Sequence, residues 1–305
     1  MITLVKNPFD ANGIPHSGTF HGDEIMATAI LGKVYDNFTV CRVFKVPEDL
    51  PESTIVYDIG GGKYDHHQKG GNGCRENGVP YSSAGLIWRD FGRLIPEVSE
   101  SANPDLVWSL IDRDLIQGID AIDNGKMPSA DYVCKPKTVS AAISEFNPTW
   151  DSTENSDTAF MEAVEFASTI LDNALANAVS KAKAQAIVEE AIDRTEGPVM
   201  VLERFAPWQE FIFSSKNEKA NDILFVVFPS NRGGYNWQCV PASLGSFAQR
   251  HPVPQEWRGL SGKELQEVTG VTTATFCHPA GFIGGAETRE DAIRLAEIAS
   301  DSEIK

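Results

Sequence analysis

From about Phe160 to Ile192 the chain follows one long alanine-rich helical pattern, and the segment before it, NPTWDSTENSDT (Asn147 to Thr158), is polar and rich in turn formers. A long helix that follows a turn-rich stretch marks a domain boundary and a connector. The expected organisation is therefore a first domain over residues 1–150, a linker and connecting helix over 151–196, and a second domain over 197–305. A chain of 305 residues with 42% hydrophobic content can fill about two packed cores.

Short β-branched runs alternate with amphipathic ones in the first domain. Thr39 to Phe44 and Thr54 to Asp58 read as strands, and Asp23 to Tyr35, Ser82 to Leu94 and Pro104 to Ala121 as helices. That alternation predicts an α/β domain with a parallel, doubly wound sheet. Beyond Gly197, strand candidates at Val199–Glu203, Ile223–Phe228, Trp237–Val240 and Thr273–Cys277, with a final helix from Thr288 opened by a TRED capping box, predict a smaller α/β domain. Internal repeats and low-complexity tracts are absent.

The longest apolar runs, such as Ile223 to Phe228, are strand-sized and fall short of the roughly 18 residues that cross a bilayer. MITLVKNPFD has neither the basic nor the apolar region of a signal peptide, and five cysteines without a CxxC pair fit a reducing compartment, so a cytoplasmic protein is expected. With 26 basic against 43 acidic residues the net charge is −17, which argues against a broad surface for duplex DNA.

YDIGGGKYDHHQ, Tyr57 to Gln68, sets two aspartates and two adjacent histidines around three glycines at the end of a predicted buried strand, where open α/β sheets bind ligands. HSGTFHGDE adds His16, His21, Asp23 and Glu24 before a helix, and AIDNG adds Asp123. Asp23, Asp123 or Asn124 taken singly would be ordinary caps or turn residues. Together, four of the six histidines fall between His16 and His67, each near an aspartate and a glycine-bearing turn. Mixed imidazole and carboxylate donors from separate loops suit a divalent ion such as Mn²⁺. More than four candidate ligands imply two ions, with Asp58, at a strand end amid glycines, as the bridging carboxylate.

Asp65-His66-His67 resembles the signature of the DHH phosphoesterase superfamily, and the flanking sequence is similar to its Myg-type branch, the melanocyte-proliferating-gene family. HSGTFHGDE, YDIGGGKYDHHQ, YSSAGLIWRDFG, AIDNG, FNPTW, APWQE, WRGL and CHPAGFIGG carry the resemblance in order over roughly Pro15 to Ala299. It implies a DHH-type catalytic domain and a C-terminal DHH-associated domain, bound manganese, and 3′-to-5′ exonuclease action on RNA. By position it implies that His21 and Asp58 hold a first metal and that Asp23, Asp58, His66 and Asp123 hold a second. His16 departs from the pattern, in which the first histidine directly follows a strand: here it follows NGIP, a turn-like stretch after the apolar TLV. Asp65 is expected to orient a ligand histidine.

His67 should face away from His66 if the backbone is extended, toward substrate rather than metal, where it could protonate a leaving alkoxide. Lys69 and Arg75 are candidate phosphate contacts nearby. In the second domain Arg232, Arg250, Arg258 and His278 are candidate phosphate or sugar contacts, and Gly284 and Gly285, read as leading into a helix start, a backbone anion site. A cleft between the domains would join metals and clamp.

The expected function is a Mn²⁺-dependent phosphodiesterase acting on single-stranded RNA or short oligonucleotides. The acidic balance keeps open a hydrolase of small phosphoanhydrides, nanoRNAs or cyclic dinucleotides on the same site. A metal-holding interaction protein is disfavoured, because every candidate ligand is present. A homo-oligomer is compatible with the sequence.

Overall fold

Short strands need neighbours to bury them, and in the first part of the chain they find one another side by side. The computed structural model describes residues 1–126, 133–134 and 136–302. Strands β1 (Ile2–Leu4), β2 (Gly13–Ile14), β3 (Phe38–Val40) and β4 (Ile55–Val56) form a sheet of order β1-β3-β2-β4. All its pairings are parallel, with Leu4 beside Val40, Gly13 beside Val40 and Ile14 beside Val56.

The NGIP segment, read as a turn, is corrected here, since its Gly13–Ile14 is a central strand. Gly13 is used for space: a Cβ there would stand 2.3 Å from Phe38 Cζ. The Asn12 side chain accepts from the Thr39 backbone N–H at 3.0 Å, which keeps an apparent turn residue in register. His16 therefore does follow a strand.

The helices of this part are α1 (Gly22–Val34), α2 (Ser83–Phe91), α3 (Pro96–Ser99), α4 (Pro104–Ile111), α5 (Gln117–Asp123), α6 (Val139–Ser144) and α7 (Ser156–Arg194). The helix expected over Pro104–Ala121 passes from α4 into α5 through a π turn at Asp112–Ile116. Phe20, Ile25, Met26, Ile30, Phe38, Trp88 and Phe160 are fully buried in one core.

Two compact units result, Met1–Ala182 and Lys183–Lys305, and the division falls within α7. The second unit contains β5 (Val199–Val201), α8 (Gln209–Ser214), α9 (Lys219–Asp222), β6 (Phe225–Pro229), β7 (Tyr235–Cys239), α10 (Gly262–Thr269), β8 (Ala274–Cys277), β9 (Ile283–Ala286) and α11 (Arg289–Ser300). Its sheet is mixed, of order β5-β6-β7-β9-β8, with only β5 and β6 parallel.

β9 holds the glycine pair that the sequence places at a helix start. Gly284 and Gly285 pair with β7 and β8 instead, so their backbone groups serve the ladder rather than an anion. The expected capping box at α11 is half formed. Thr288 accepts from the Asp291 N–H, while the Asp291 carboxylate takes the Thr273 hydroxyl. Among the described residues no helix is long and apolar enough to cross a membrane, and all five cysteines are free.

Candidate metal centre

Four segments of the first unit deliver polar side chains to one place, the last of them the end of α5, which carries Asp123. β2 runs through Pro15 into His16, whose backbone bridges Val43. The first turn of α1 carries Asp23 and Glu24, with His21 just before it. β4 continues through Tyr57 to Asp58, which has a φ of 59°, left-handed backbone that a non-glycine residue adopts only where its surroundings impose it. Here they do. The Asp58 N–H donates to Tyr64 O at 3.0 Å, and the Ser83 hydroxyl donates to Asp58 Oδ1 at 3.0 Å.

Asp58 lies between two imidazoles. His16 Nε2 is 3.1 Å from Asp58 Oδ2 and 2.9 Å from Glu24 Oε1. His66 Nε2 is 3.3 Å from Asp58 Oδ1, 3.1 Å from Asp123 Oδ2 and 3.5 Å from Asp23 Oδ2. Despite these distances, Asp23 Oδ1, Asp58 Oδ2 and His66 Nε2 are buried without a hydrogen-bond partner. Such groups are costly to bury unless something converges on them. Atoms this close that lack hydrogen-bond alignment point at shared centres rather than at one another. Four sets of donors lie within 4.8 Å of one another: His16 with His21 and Glu24; His21 with Asp23 and Asp123; Asp58 with His66 and His67; and Asp23 with Glu24 and Asp58. The sets share members, and the donor types suit a divalent cation.

The electrostatics fit the same reading. Burial pushes the Asp23 carboxyl well up, reinforced by Asp58, Glu24 and Asp123 around it. For Asp58 burial also opposes ionisation, but the contacts with His16 and His66 outweigh it and hold the carboxyl below its ordinary range. Burial disfavours the charged form of both histidines, yet the carboxylates beside them win, and each is raised to about 10. Without a cation, protons hold the cluster together.

All six residues expected to bind metal meet here, and two further ones join them. Glu24 is fully buried and receives the His21 N–H at 2.9 Å, so beyond capping α1 it fixes His21 beside His16. Ser83 donates through its hydroxyl to Asp58 and through its N–H to Asp23 Oδ2 at 3.2 Å. Nothing in YSSAGLIW singles out that serine, whereas Glu24 is visible in HSGTFHGDE and reads as a cap.

The histidine pair needs correction. The His66 and His67 rings lie 4.2 Å apart instead of facing opposite ways, because the segment is a loop outside the sheet. What separates them is exposure, 7% of the side chain for His66 against 59% for His67. Asp65 orients His67 rather than His66: its Oδ1 accepts from the His67 N–H at 2.9 Å and lies 3.0 Å from Nδ1, while Oδ2 accepts from the Gly61 N–H at 2.6 Å. Burial works against the Asp65 charge, but these bonds hold its carboxyl below the ordinary value.

Two expected substrate contacts are engaged elsewhere. Arg75 donates to both oxygens of Asp112 and to Asp120 Oδ2 at 2.7 Å, with its side chain only 7% exposed. Arg250 donates to the carbonyls of Ala220, Asn221 and Ile223. Both tie loops to helices. Lys69, Arg232, Arg258 and His278 are exposed. Arg258 also donates to Val253 O at 3.0 Å, and Trp257 is core, 6.3 Å from the Trp237 ring.

Fold and site together define an α/β protein with a candidate divalent-metal centre at the ends of parallel strands. A profile of the MYG1 exonuclease family, described as an uncharacterised protein family (UPF0160), matches residues 14–299. The chain belongs to this family. It is 32% identical to the mouse protein named MYG1 exonuclease, over 92% of this chain and 82% of that one. The human MYG1 exonuclease is also 32% identical, over 92% and 83%, and a MYG1 protein of Schizosaccharomyces pombe is 30% identical, over 94% and 96%. No solved structure matches the chain significantly.

Proposed function

We propose that this protein is a two-metal phosphodiester hydrolase, a 3′-to-5′ exonuclease acting on single-stranded RNA or short oligonucleotides. One observation carries the reading: Asp58 offers one oxygen to the His16 side and the other to the His66 side, as a bridging carboxylate would. The exonuclease names of the mouse and human relatives support the class of reaction. We read the two units as a DHH-type catalytic domain and its associated domain, and the free cysteines as those of a cytoplasmic protein.

His16, His21 and Asp58 would hold one ion, and Asp23, Asp58, His66 and Asp123 the other, with Mn²⁺ favoured by the mixed donors. When bound, the ions supply Lewis-acid stabilisation of phosphoryl charge and acidify water. Glu24 and Ser83 hold His21 and Asp58 in place. His67 is the general acid: Asp65 fixes its ring through Nδ1, leaving Nε2–H to hold the proton that the departing oxygen takes. Lys69, Arg232, Arg258 and His278 would grip the rest of the substrate.

With Arg75 and Arg250 employed internally and a net charge of −17, short substrates fit better than long tracked RNA. That favours nanoRNAs, cyclic dinucleotides or small phosphoanhydrides as the second reading. End-labelled RNA, a cyclic dinucleotide and pyrophosphate, each incubated with Mn²⁺, Mg²⁺ or chelator, separate them. Stepwise shortening of the RNA from its 3′ end, abolished by chelator, is the expected result. Cleavage of pyrophosphate alone would replace the exonuclease with a phosphoanhydride hydrolase.

A further inference from the structure

The second unit contains a cavity of about 500 Å³, a size suited to a small ligand. Its walls are mostly apolar, and none of its lining residues carries a carboxylate or an ammonium group, which is unusual in a chain with 43 acidic residues. Three features describe the ligand. First, Phe247 stands on the rim fully exposed to solvent. Its loop is not slack. Ala242 N–H donates to Ala248 O at 2.8 Å, Ser246 N–H to Ser243 O at 3.0 Å, and the Gln249 amide to the Phe247 carbonyl at 2.9 Å. An aromatic ring held in water by a bonded loop is a face presented for stacking.

Second, His278 and Phe282 line the same cavity with ring centroids 4.6 Å apart. The His278 Nδ1 accepts from the Ala280 N–H at 3.1 Å, which puts the proton of the neutral ring on Nε2 and makes it a donor. Third, Gln209 and Gln238 line the cavity with side-chain amides that take no hydrogen-bond partner among the described residues. An amide presents a donor and an acceptor side by side, the complement of a heterocycle's edge. Arg258 lies close by: its Nε would stand 2.8 Å from a Cβ built on Gly281, in the turn between His278 and Phe282.

We infer that this cavity is a nucleobase-binding subsite, in which a base stacks on Phe247, its edge is read by Gln209, Gln238 and His278, and Arg258 meets the attached phosphate. Aromatic faces, unpaired amides and absent carboxylates are what a neutral planar ring linked to an anion requires. The inference rests on the hydrolase reading for its biological setting and names the part of the substrate that the second unit takes.

Calorimetry with adenosine 5′-monophosphate and with ribose 5-phosphate, on the full-length protein in chelator, tests it apart from the metals. Adenosine 5′-monophosphate should bind and the base-free sugar phosphate should bind about tenfold or more weakly. Phe247→Ala should weaken nucleotide binding by about five- to a hundred-fold, and Phe247→Trp should restore it. Because Phe247 is wholly exposed, its removal leaves the core intact. Equal binding by wild type and Phe247→Ala, or no binding of the nucleotide at all, overturns the subsite. The hydrolase reading is tested separately on wild type with a chromogenic phosphodiester and Mn²⁺. A protein that binds the nucleotide but leaves the diester intact keeps the subsite and loses the hydrolase, and the reverse pattern does the opposite.

Discussion

Two glycine-rich stretches look alike in the sequence and do unlike things in the structure. In GGGK, Gly60 and Gly61 have φ of 87° and 67°, and nothing lies within 4 Å of a Cβ built on Gly61. Those glycines supply a backbone shape, a turn tight enough for the Gly61 N–H to reach Asp65. In FIGGA, Gly284 and Gly285 are ordinary strand residues, and a Cβ on Gly284 would stand 2.2 Å from Trp237 Cζ2 and 2.5 Å from Phe276 O. Those glycines supply room. The lesson is that a glycine pair announces a steric demand without saying whether conformation or space makes it. Around the first stretch the chain places its chemistry, and around the second it closes a core.

That contrast can be broken by mutation, since changes near the first stretch should cost chemistry and changes in the second should cost stability. The largest effect is expected at His67. His67→Asn should lower turnover about 10²–10⁴-fold with metal content and melting temperature unchanged, whereas its neighbour His66→Ala should lose metal. Steady-state kinetics beside elemental analysis decide it, and equal metal loss in both variants would erase the distinction between the two rings. Next, Gly284→Ala should destabilise the fold by about 1–3 kcal/mol, read by denaturant unfolding, through overpacking against Trp237. Metal content should not change.

The metal-free centre should also respond to pH. His16 and His66, raised to about 10, lend stability that is fully present below their unfolded value near 6.5 and fades as pH climbs through 10. The melting temperature in chelator should therefore drop by a few degrees between pH 7 and 10, beyond the drop seen with Mn²⁺ present. Loading metal at pH 7 should release about two protons, visible as buffer-dependent heats. The smallest effects belong to the first glycine stretch. Gly61→Ala should cost about 1 kcal/mol for its left-handed backbone. Gly62→Ala, at ordinary φ and in open space, should stay within about 0.5 kcal/mol of wild type. A cost at Gly62 equal to that at Gly284 would collapse the comparison.

Much of this was legible in the residues, and the exceptions share a cause. Helices α2, α7 and α11 follow an amphipathic period, while α1 and the core strands β3, β4, β6 and β7 are carried by short apolar or β-branched runs; both are local information. β2 and β9 carry Asn-Gly and Gly-Gly, local turn signals that lose to tertiary packing against Phe38 and Trp237. Histidines and aspartates in the glycine-bearing turns could be seen to belong together because few other tasks gather them. The roles of Arg75 and Arg250 could not be read. An arginine looks the same whether it faces solvent or, as Arg75 does, carboxylates 37 and 45 residues further along the chain. Ser83 was hidden for the same reason, since its partners Asp58 and Asp23 come from other elements.

If Asp58 is the carboxylate shared by two ions, metal content measures it directly. Purified wild type loaded with Mn²⁺ and freed of excess should hold about two ions per chain, and Asp58→Ala should lose both together. One tightly held ion in the wild type, or a variant that keeps its full complement, would contradict the shared centre and with it the two-metal hydrolase.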